Sequence, residues 1–124
     1  MVVDDSAPDR FIARKLLGRN QIAAEVTPME SGVDALAYIR ALAGDLTKLP
    51  QVIFLDIRMP IMDGFEFLEQ FEALPEANRA GITIFMLTSS AYVEDRKRAE
   101  LYKSVKGFII KPLTEKTLTD FLNK

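Results

Sequence analysis

The chain of 124 residues contains no cysteine, no histidine and no tryptophan. It therefore has no Ser-His-Asp triad, no thiol nucleophile, no disulfide and no zinc site built from nitrogen and sulfur ligands. No apolar run approaches the roughly 20 residues of a membrane span, and we expect no signal peptide. The 16 basic and 18 acidic residues leave a net charge of −2, which does not favour nucleic acid as a partner. The remaining chemistry is that of carboxylates, hydroxyls and lysines, in a protein we expect to be cytoplasmic and free of membranes.

Short apolar segments alternate with longer amphipathic ones along the chain. Four of the short segments are too short for helices and almost uniformly apolar, which is typical of parallel strands buried on both faces. They are Met1–Val3, Val52–Leu55, Ile82–Leu87 and Phe108–Ile110. A fifth strand is predicted at an edge, near Ala24–Thr27 and before Pro28. The first strand is short, so we expect residues before Met1.

Five amphipathic segments between the strands are predicted to be helices, at about 7–19, 33–43, 65–74, 93–103 and from 114 onward. The first is predicted to bury four residues, Phe11, Ile12, Ala13 and Leu16. The second, third and fifth are predicted to bury Leu36, Ile39 and Leu42, then Phe65, Leu68 and Phe71, then Leu118, Phe121 and Leu122. The fourth is polar, and its Arg96–Arg98 run is interpreted as a solvated face. Five strand–helix repeats predict a doubly wound α/β domain with a parallel sheet covered on both sides.

Polar residues follow the carboxyl ends of four predicted strands. Asp4 and Asp5 follow the first strand, Asp56 the third, Thr88 the fourth and Lys111 the fifth. In an open parallel sheet, ligands gather outside these ends, where the winding direction reverses. Taken singly, the first two aspartates and the threonine would also serve as helix caps, and the lysine could lie in an ordinary turn. Asp56 is harder to explain in this way, because a carboxylate directly after four apolar residues is partly desolvated and needs a partner.

Taken together, three carboxylates, one hydroxyl and one ammonium group are expected to converge at one edge of the sheet. Two carboxylates about 4 Å apart repel by about 4 kcal/mol at an effective dielectric constant of about 20, so the cluster requires protonation or a cation. Oxygen ligands without nitrogen or sulfur favour a hard ion, and Mg²⁺ fits best. A lysine beside that cation would hold an anion, so the set predicts a phosphoryl site with a carboxylate nucleophile.

These residues, in this order, closely resemble the receiver domain of two-component response regulators. The motifs are Asp4-Asp5, Asp56-Ile-Arg-Met-Pro60, Asp63-Gly64, Thr88-Ser89 and Lys111-Pro112. The likeness covers the whole chain apart from the short first strand. It implies a flavodoxin-like sheet of order 2-1-3-4-5, with one receiver domain over residues 1–124. It also implies that no output domain is present, as in single-domain chemotaxis and phytochrome-associated regulators.

The resemblance assigns a phosphoacceptor and a metal site. Asp56 would take a phosphoryl group from the phosphohistidine of a sensor histidine kinase or a histidine phosphotransfer protein. Mg²⁺, with Mn²⁺ as an alternative, would be held by the carboxylates of Asp5 and Asp56 and by the backbone carbonyl of Arg58. Asp4 would contribute directly or through water.

The resemblance also assigns the groups around the phosphoryl group. Thr88 would donate a hydrogen bond to it in the active state, and Lys111 would pair with it. A cis peptide bond before Pro112 is expected. Ser6 and the Pro60–Gly64 loop would form the rim of the site.

Three positions concern regulation. Phe108 stands at the switch position, which is often tyrosine in this family. Phenylalanine lacks the hydroxyl, so the residue is either a switch that works through its rotamer alone or an ordinary buried strand residue. Arg58 and Ser90 lie two residues beyond Asp56 and Thr88, where receivers tune the access of the hydrolytic water.

The implied function is a phosphorylation-dependent signalling switch with Thr88 and Phe108 as switch residues. The fourth predicted helix, the fifth strand and the last helix would form the face that binds a downstream target protein or, after phosphorylation, a second copy of the chain. Such a protein assists only its own phosphorylation and dephosphorylation, so it is not an enzyme in the usual sense.

Two other functions stay open. A haloacid-dehalogenase-like phosphohydrolase also uses an aspartate nucleophile after a strand, but in an Asp-x-Asp pattern, whereas the acids here are adjacent and followed by Ser6 and Ala7. A degenerate receiver could act as a constitutive interaction module. Against it stands the full set of Asp5, Asp56, Thr88 and Lys111.

Overall fold

The structure is a computed structural model that describes residues 1–19, 25–42, 45, 47–89 and 92–122, excluding the side chains of residues 121 and 122. The strands in these ranges are β1 (Val2–Val3), β2 (Pro28–Met29), β3 (Val52–Asp56), β4 (Thr83–Thr88) and β5 (Val105–Ile110). The helices there are α1 (Ala7–Arg19), α2 (Gly32–Ala41), α3 (Gly64–Glu72), α4 (Glu76–Arg79), α5 (Val93–Ala99) and α6 (Glu115–Leu122). All strand pairs are parallel, and the sheet has the order β2-β1-β3-β4-β5. The doubly wound fold and its strand order are confirmed.

The edge strand lies later in the chain than predicted. It covers Pro28–Met29, whereas the predicted strand lies near Ala24–Thr27 and is followed by the proline; Ala24 lies outside the described residues. The register pairs Val2 with Pro28, and the backbone N–H of Val2 donates to the carbonyl of Thr27 at 2.9 Å. Proline is tolerated at the first position of an edge strand because no ladder donor is needed there.

The helix count and two element boundaries also differ from the prediction. Within the described residues there is one more helix than predicted, α4, a four-residue turn after Pro75 that is too short to produce an apolar period. The fourth and fifth predicted helices are therefore α5 and α6. Helix α5 ends at Ala99, and β5 begins at Val105, where Lys106 and Gly107 interrupt the apolar pattern on which the prediction relied.

Successive side chains along the buried strands point to opposite faces of the sheet, and they pack into two separate hydrophobic cores. One core combines Ile53 and Leu55 of β3 with the inward faces of α2, α3 and α5. The other combines Phe54 of the same strand with the inward faces of α1 and α6. Of the predicted core residues in α2, α3 and α6, these are buried: Leu36, Ile39, Phe65, Leu68, Phe71 and Leu118. Leu42 is partly buried, and the side chains of Phe121 and Leu122 lie outside the described part of the chain.

The predicted inward face of α1 is partly wrong. Ala13 and Leu17, one turn apart, are buried against the sheet and Leu16 is partly buried, but Phe11 is 60% exposed and Ile12 is 42% exposed. The face of α1 that packs on the sheet is defined by Ala13 and Leu17, an i, i+4 pair whose first member is a small residue. The Phe11 ring instead lies beneath the ammonium group of Lys15, at 5.1 Å.

The strand register aligns the carboxyl ends of four strands. Val3 pairs with Leu55, Asp56 pairs with Leu87, and Thr88 pairs with Ile110. The residues that end or directly follow these strands consequently share one edge of the sheet. None of the helices in the ranges described above is long and apolar enough to cross a bilayer.

Candidate functional site

Three carboxylates meet at this edge of the sheet. Asp4, Asp5 and Asp56 each offer one oxygen, and these oxygens lie within 4.8 Å of one another. Asp4 is fully buried and Asp56 is 5% exposed, whereas Asp5 is exposed to solvent. Asp4 is fixed by its neighbours, because its backbone N–H donates to the carbonyl of Met29 at 3.1 Å and its Oδ1 accepts from the backbone N–H of Ser6 at 2.9 Å.

Lys111 brings an ammonium group to the same cluster. Its Nζ lies 2.8 Å from Oδ2 of Asp4, 2.8 Å from Oδ2 of Asp9 and 3.5 Å from Oδ1 of Asp56. The backbone N–H of Lys111 donates to the carbonyl of Thr88 at 2.7 Å, which fixes the start of the chain after β5. The peptide bond between Lys111 and Pro112 is cis.

The electrostatics of the cluster oppose the charge on Asp56 and favour the charge on Lys111. Burial, assisted by repulsion from Asp4 and Asp5 and opposed by Lys111, raises the pKa of Asp56 from 3.8 to about 7. Burial alone would lower the pKa of Lys111, but its contacts with Asp4 and Asp9 and the charge of Asp56 raise that pKa above the usual 10.5. The pocket therefore holds the positively charged ammonium group of Lys111 beside Asp56, a carboxyl group that is costly to ionise.

Thr88 is the hydroxyl of the predicted set. It is fully buried at the end of β4, one residue beyond Leu87, which pairs with Asp56 across the sheet. The structure thus brings Asp4, Asp5, Asp56 and Lys111 into one cluster and places Thr88 on the adjacent strand end.

The loop after β3 is shaped by Gly64 and Asp63. A Cβ atom on Gly64 would lie 2.5 Å from the backbone oxygen of Asp56, so only glycine fits this close approach. Asp63 caps α3 with a reciprocal pair of hydrogen bonds to Glu66, at 2.8 and 3.2 Å. These two residues hold the loop against the site, which accounts structurally for the Asp63-Gly64 motif.

Ile61 lies in the same loop with an unusual backbone conformation. Its φ angle is +71°, and its side chain is 94% exposed. The backbone N–H of Met62 donates to the carbonyl of Pro60 at 2.8 Å across this tight turn. A β-branched residue in the left-handed region is strained, and no packing of the side chain offsets the strain here.

Arg58 makes a contact that the sequence did not reveal. Its guanidinium Nη2 lies 2.7 Å from Oδ2 of Asp95, a buried acid in the first turn of α5. The loop after β3 is thereby tied to α5. Ser90, the other residue predicted to tune the site, lies outside the described residues.

The basic run of α5 is exposed, as a solvated face requires, but two of its members also contact aromatic rings. The guanidinium carbon of Arg96 lies 5.9 Å from the ring centre of Phe108, and that of Arg98 lies 4.3 Å from the ring centre of Phe65. Phe108 is partly buried against the core. Beside it, a cavity of about 190 Å³ lies between α5 and β5, lined by Arg96, Ala99, Glu100, Val105, Lys106, Gly107 and Phe108.

Sequence reasoning missed Asp9 and Asp95. Asp9 follows Ser6 by three residues in the first turn of α1, and Asp95 lies in the first turn of α5, so both look like ordinary acids at helix N-termini. Their partners, Lys111 and Arg58, are 102 and 37 residues away in the chain. No local pattern signals a contact over such separations.

The carboxylate cluster fits a hard divalent cation. All three donors are oxygens, and they are close enough to share one ion. The buried Oδ2 of Asp4 accepts no well-aligned hydrogen bond within the described residues, although Nζ of Lys111 is 2.8 Å away. A cation would offset the repulsion that raises the pKa of Asp56.

Residues 1–123 match the family model described as the response regulator receiver domain. The chain therefore belongs to the receiver domains of two-component response regulators, and the predicted family is confirmed. Receiver domains bind Mg²⁺ in an acidic pocket, and the cluster of Asp4, Asp5 and Asp56 is a group of acids that could hold such an ion.

Two curated proteins and one solved structure illustrate the similarity. The probable methanogenesis regulatory protein FilR2 of Methanothrix harundinacea is 31% identical over 114 residues, covering 92% of this chain and 72% of that protein. Hybrid signal transduction histidine kinase L of Dictyostelium discoideum is 31% identical over 125 residues, covering all of this chain but 7% of the kinase. The response regulator receiver protein of Dyadobacter fermentans is 33% identical with a TM-score of 0.77, and the match covers 98% of this chain and 94% of that one.

Proposed function

We propose that this receiver domain is a phosphorylation-dependent switch whose phosphoacceptor is Asp56. The observation that carries the proposal is the meeting of a partly buried ammonium group, that of Lys111, with the carboxylates of Asp4, Asp5 and Asp56 at the carboxyl edge of the sheet. A cation and a lysine placed together offset the charge of a phosphoryl group, and a carboxylate beside them can act as the nucleophile.

The contacts distinguish Asp56 from its two neighbours. Asp4 is fully buried, so neither of its oxygens is accessible to an incoming phosphoryl donor, and its Oδ1 also accepts from the backbone N–H of Ser6. Asp5 is exposed, and no ion pair with Lys111 is found for it among the described residues. Asp56 is the acid that keeps slight access to solvent while its Oδ1 lies 3.5 Å from Lys111.

The metal would be Mg²⁺, or Mn²⁺, held by the carboxylates of Asp5 and Asp56, by the backbone carbonyl of Arg58, and by Asp4 directly or through water. When bound, the cation supplies positive charge that lowers the repulsion among the carboxylates and toward an incoming phosphoryl group. The loop that carries Arg58 is positioned by the hydrogen bond that the backbone N–H of Gly64 donates to the carbonyl of Ile57 at 2.8 Å.

The phosphoryl donor would be the phosphohistidine of a sensor histidine kinase or a histidine phosphotransfer protein. A carboxylate oxygen of Asp56 forms a bond to phosphorus while the phosphorus–nitrogen bond breaks, and the electron pair returns to the imidazole nitrogen, which takes up a proton. The ammonium group of Lys111 and the hydroxyl of Thr88 then bind the phosphoryl oxygens of the acyl phosphate. The domain assists only its own phosphorylation and dephosphorylation.

The signal would leave through the face formed by α5, β5 and α6. The acyl phosphate carries between about −1.5 and −2 charges in place of the single charge of the Asp56 carboxylate, and its phosphoryl oxygens draw Thr88 toward them. Helix α5 buries only Asp95 and Ala99, so little apolar packing resists its movement. Phe108 would change rotamer with it, and the face would bind a downstream target protein or a second copy of the chain.

The test is uptake of a phosphoryl group from acetyl phosphate, followed by intact-protein mass spectrometry with Mg²⁺ or with EDTA. We expect one phosphoryl group on the wild type with Mg²⁺, none with EDTA and none on Asp56→Asn. Asp45→Asn, a change at an acid outside the carboxylate cluster whose side chain is 44% exposed, is the control and should behave as wild type. Equal labelling of wild type and Asp56→Asn would contradict the assignment, and sustained hydrolysis of a generic phosphoester would instead indicate a phosphohydrolase.

A further inference from the structure

Lys111 has a carboxylate partner outside the acidic cluster, and this contact has a consequence for the switch. We propose that Asp9 is a positioning residue that holds the Lys111 ammonium group away from Asp56 and competes with the phosphoryl group for it. The inference rests on the proposed function, since it concerns how strongly Lys111 binds a phosphoryl group on Asp56.

The geometry favours Asp9 over Asp56 as an acceptor of the lysine. Nζ of Lys111 donates a hydrogen bond to Oδ2 of Asp9 at 2.8 Å. Oδ2 of Asp4 is equally near, but it accepts no well-aligned hydrogen bond, and Oδ1 of Asp56 is farther away, at 3.5 Å. A charge-assisted bond of this length is among the stronger hydrogen bonds in proteins, so the lysine is drawn toward α1 and away from the phosphoacceptor.

Two effects of Asp9 act in the same direction. When Nζ of Lys111 moves from Asp9 toward a phosphoryl oxygen on Asp56, the 2.8 Å hydrogen bond to Asp9 is stretched or lost, which reduces the net gain from the new contact. The charge of Asp9 also repels the dianionic phosphoryl group across a partly buried site, where the lysine side chain is only 14% exposed. Without Asp9 the lysine would still be held by Asp4, so its side chain would not become disordered.

The alternative is that Asp9 only stabilises the start of α1. The start of α2 has the same arrangement of residues and can serve as a control for this alternative. The backbone N–H of Asp9 donates to Oγ of Ser6 at 3.3 Å, and that of Asp34 donates to Oγ of Ser31 at 3.1 Å, in two identical Ser-x-x-Asp arrangements. Both acids lie in the first turn of their helices. Among the residues that the structure covers, no ion pair of Asp34 is found, so Asp34→Asn reproduces the helix effect without the lysine.

The experiment compares wild type, Asp9→Asn, Asp34→Asn and Asp9→Glu. Half-maximal phosphorylation is measured against acetyl phosphate concentration with Mg²⁺, thermal stability is measured in parallel, and the ¹⁵N resonance of the Lys111 ammonium group is recorded without metal. We expect Asp9→Asn to require several-fold less acetyl phosphate and to shift the ammonium resonance. Asp34→Asn should change neither the acetyl phosphate requirement nor the resonance, while losing similar thermal stability. Asp9→Glu keeps the negative charge and the helix cap, so it should stay near wild type.

Two failures are distinguishable. If wild type takes up no phosphoryl group at all, the proposed function is overturned, and this inference with it. If wild type is phosphorylated but Asp9→Asn requires as much acetyl phosphate as Asp34→Asn, or more, the proposed function stands and only the role of Asp9 is overturned. An unshifted Lys111 ammonium resonance in Asp9→Asn would also overturn that role.

Discussion

The guanidinium group of Arg58 lies 2.7 Å from the carboxylate of Asp95 and joins the loop after β3 to the first turn of α5. Helix α5 has little else to hold it, since Asp95 and Ala99 are its only buried residues within the described chain. Its remaining contacts include two arginines over aromatic rings, Arg96 over Phe108 and Arg98 over Phe65. A helix held mainly by polar contacts can be released without breaking a core, which suits the movement that we propose for α5.

Removing this ion pair should loosen α5 locally. Arg58→Ala leaves the carboxylate of Asp95 without its partner, and because the arginine is 57% exposed we expect a loss of only about 1 kcal/mol in unfolding free energy. Hydrogen exchange of the amides in 93–99 should accelerate more than exchange in β3 and β4. Lys97→Ala, which changes an exposed residue of the same helix, is the control. Unchanged exchange in 93–99 would show that the pair does not hold the helix.

Asp56 should make the metal-free protein less stable as the pH rises. Its pKa is raised from 3.8 to about 7, so the folded state binds the proton more tightly than the unfolded state does. The stability associated with the protonated carboxyl is full below pH 3.8 and is lost as the pH rises to about 7. In EDTA, Asp56→Asn should therefore match wild type near pH 4 and exceed it by about 2 kcal/mol at pH 8. Urea unfolding across this range measures the difference, and a difference independent of pH would contradict the cause assigned.

Gly64 should tolerate no side chain. In Gly64→Ala the new Cβ would lie 2.5 Å from the backbone oxygen of Asp56, and we expect a loss of about 2 kcal/mol or more in unfolding free energy. Gly18→Ala is the control, because nothing lies within 4 Å of a Cβ at that helical position. It should gain up to about 1 kcal/mol from helix propensity. Thermal or urea unfolding of both variants measures the contrast, and a neutral Gly64→Ala would mean that the loop can withdraw from the strand.

Ile61 should be replaceable with a gain in stability. Asparagine tolerates the left-handed conformation that Ile61 adopts at φ +71°, and the exposed isoleucine side chain loses no packing when removed. We expect Ile61→Asn to raise the unfolding free energy by about 1 kcal/mol, as measured by urea unfolding. Leu101→Asn, at another exposed site without positive φ, should give no such gain. If Ile61→Asn instead lowers the unfolding free energy, the isoleucine side chain stabilises the fold despite its exposure to solvent.

The fold could be predicted because its signals are local. Continuous apolar runs such as Val52–Leu55 and Ile82–Leu87 identify strands buried on both faces, and the alternation with helices fixes their parallel direction. The parts of the prediction that are wrong lie where the hydrophobic pattern of the sequence is weak. The predicted edge strand precedes Pro28, whereas the observed strand begins at that residue. The inward face of α1 depends on Ala13, whose small apolar side chain contributes little to the sequence pattern.

The site was predictable in its composition but not in its connections. Residues that follow buried parallel strands must share one edge, so the placement of Asp56 and Lys111 follows from topology. The ion pair of Arg58 with Asp95 and that of Lys111 with Asp9 depend on where α5 and α1 lie over the sheet. Tertiary packing decides those positions, and no spacing in the sequence encodes them.

The most direct test of the central claim locates the phosphoryl group on the chain. Protein treated with acetyl phosphate and Mg²⁺ is reduced with borohydride, which converts an aspartyl phosphate to homoserine, and is then mapped by peptide mass spectrometry. We predict homoserine at position 56 and unmodified aspartate at positions 4, 5 and 9. Homoserine at any of those three positions instead, or at none of the four, would contradict the assignment of Asp56 as the phosphoacceptor.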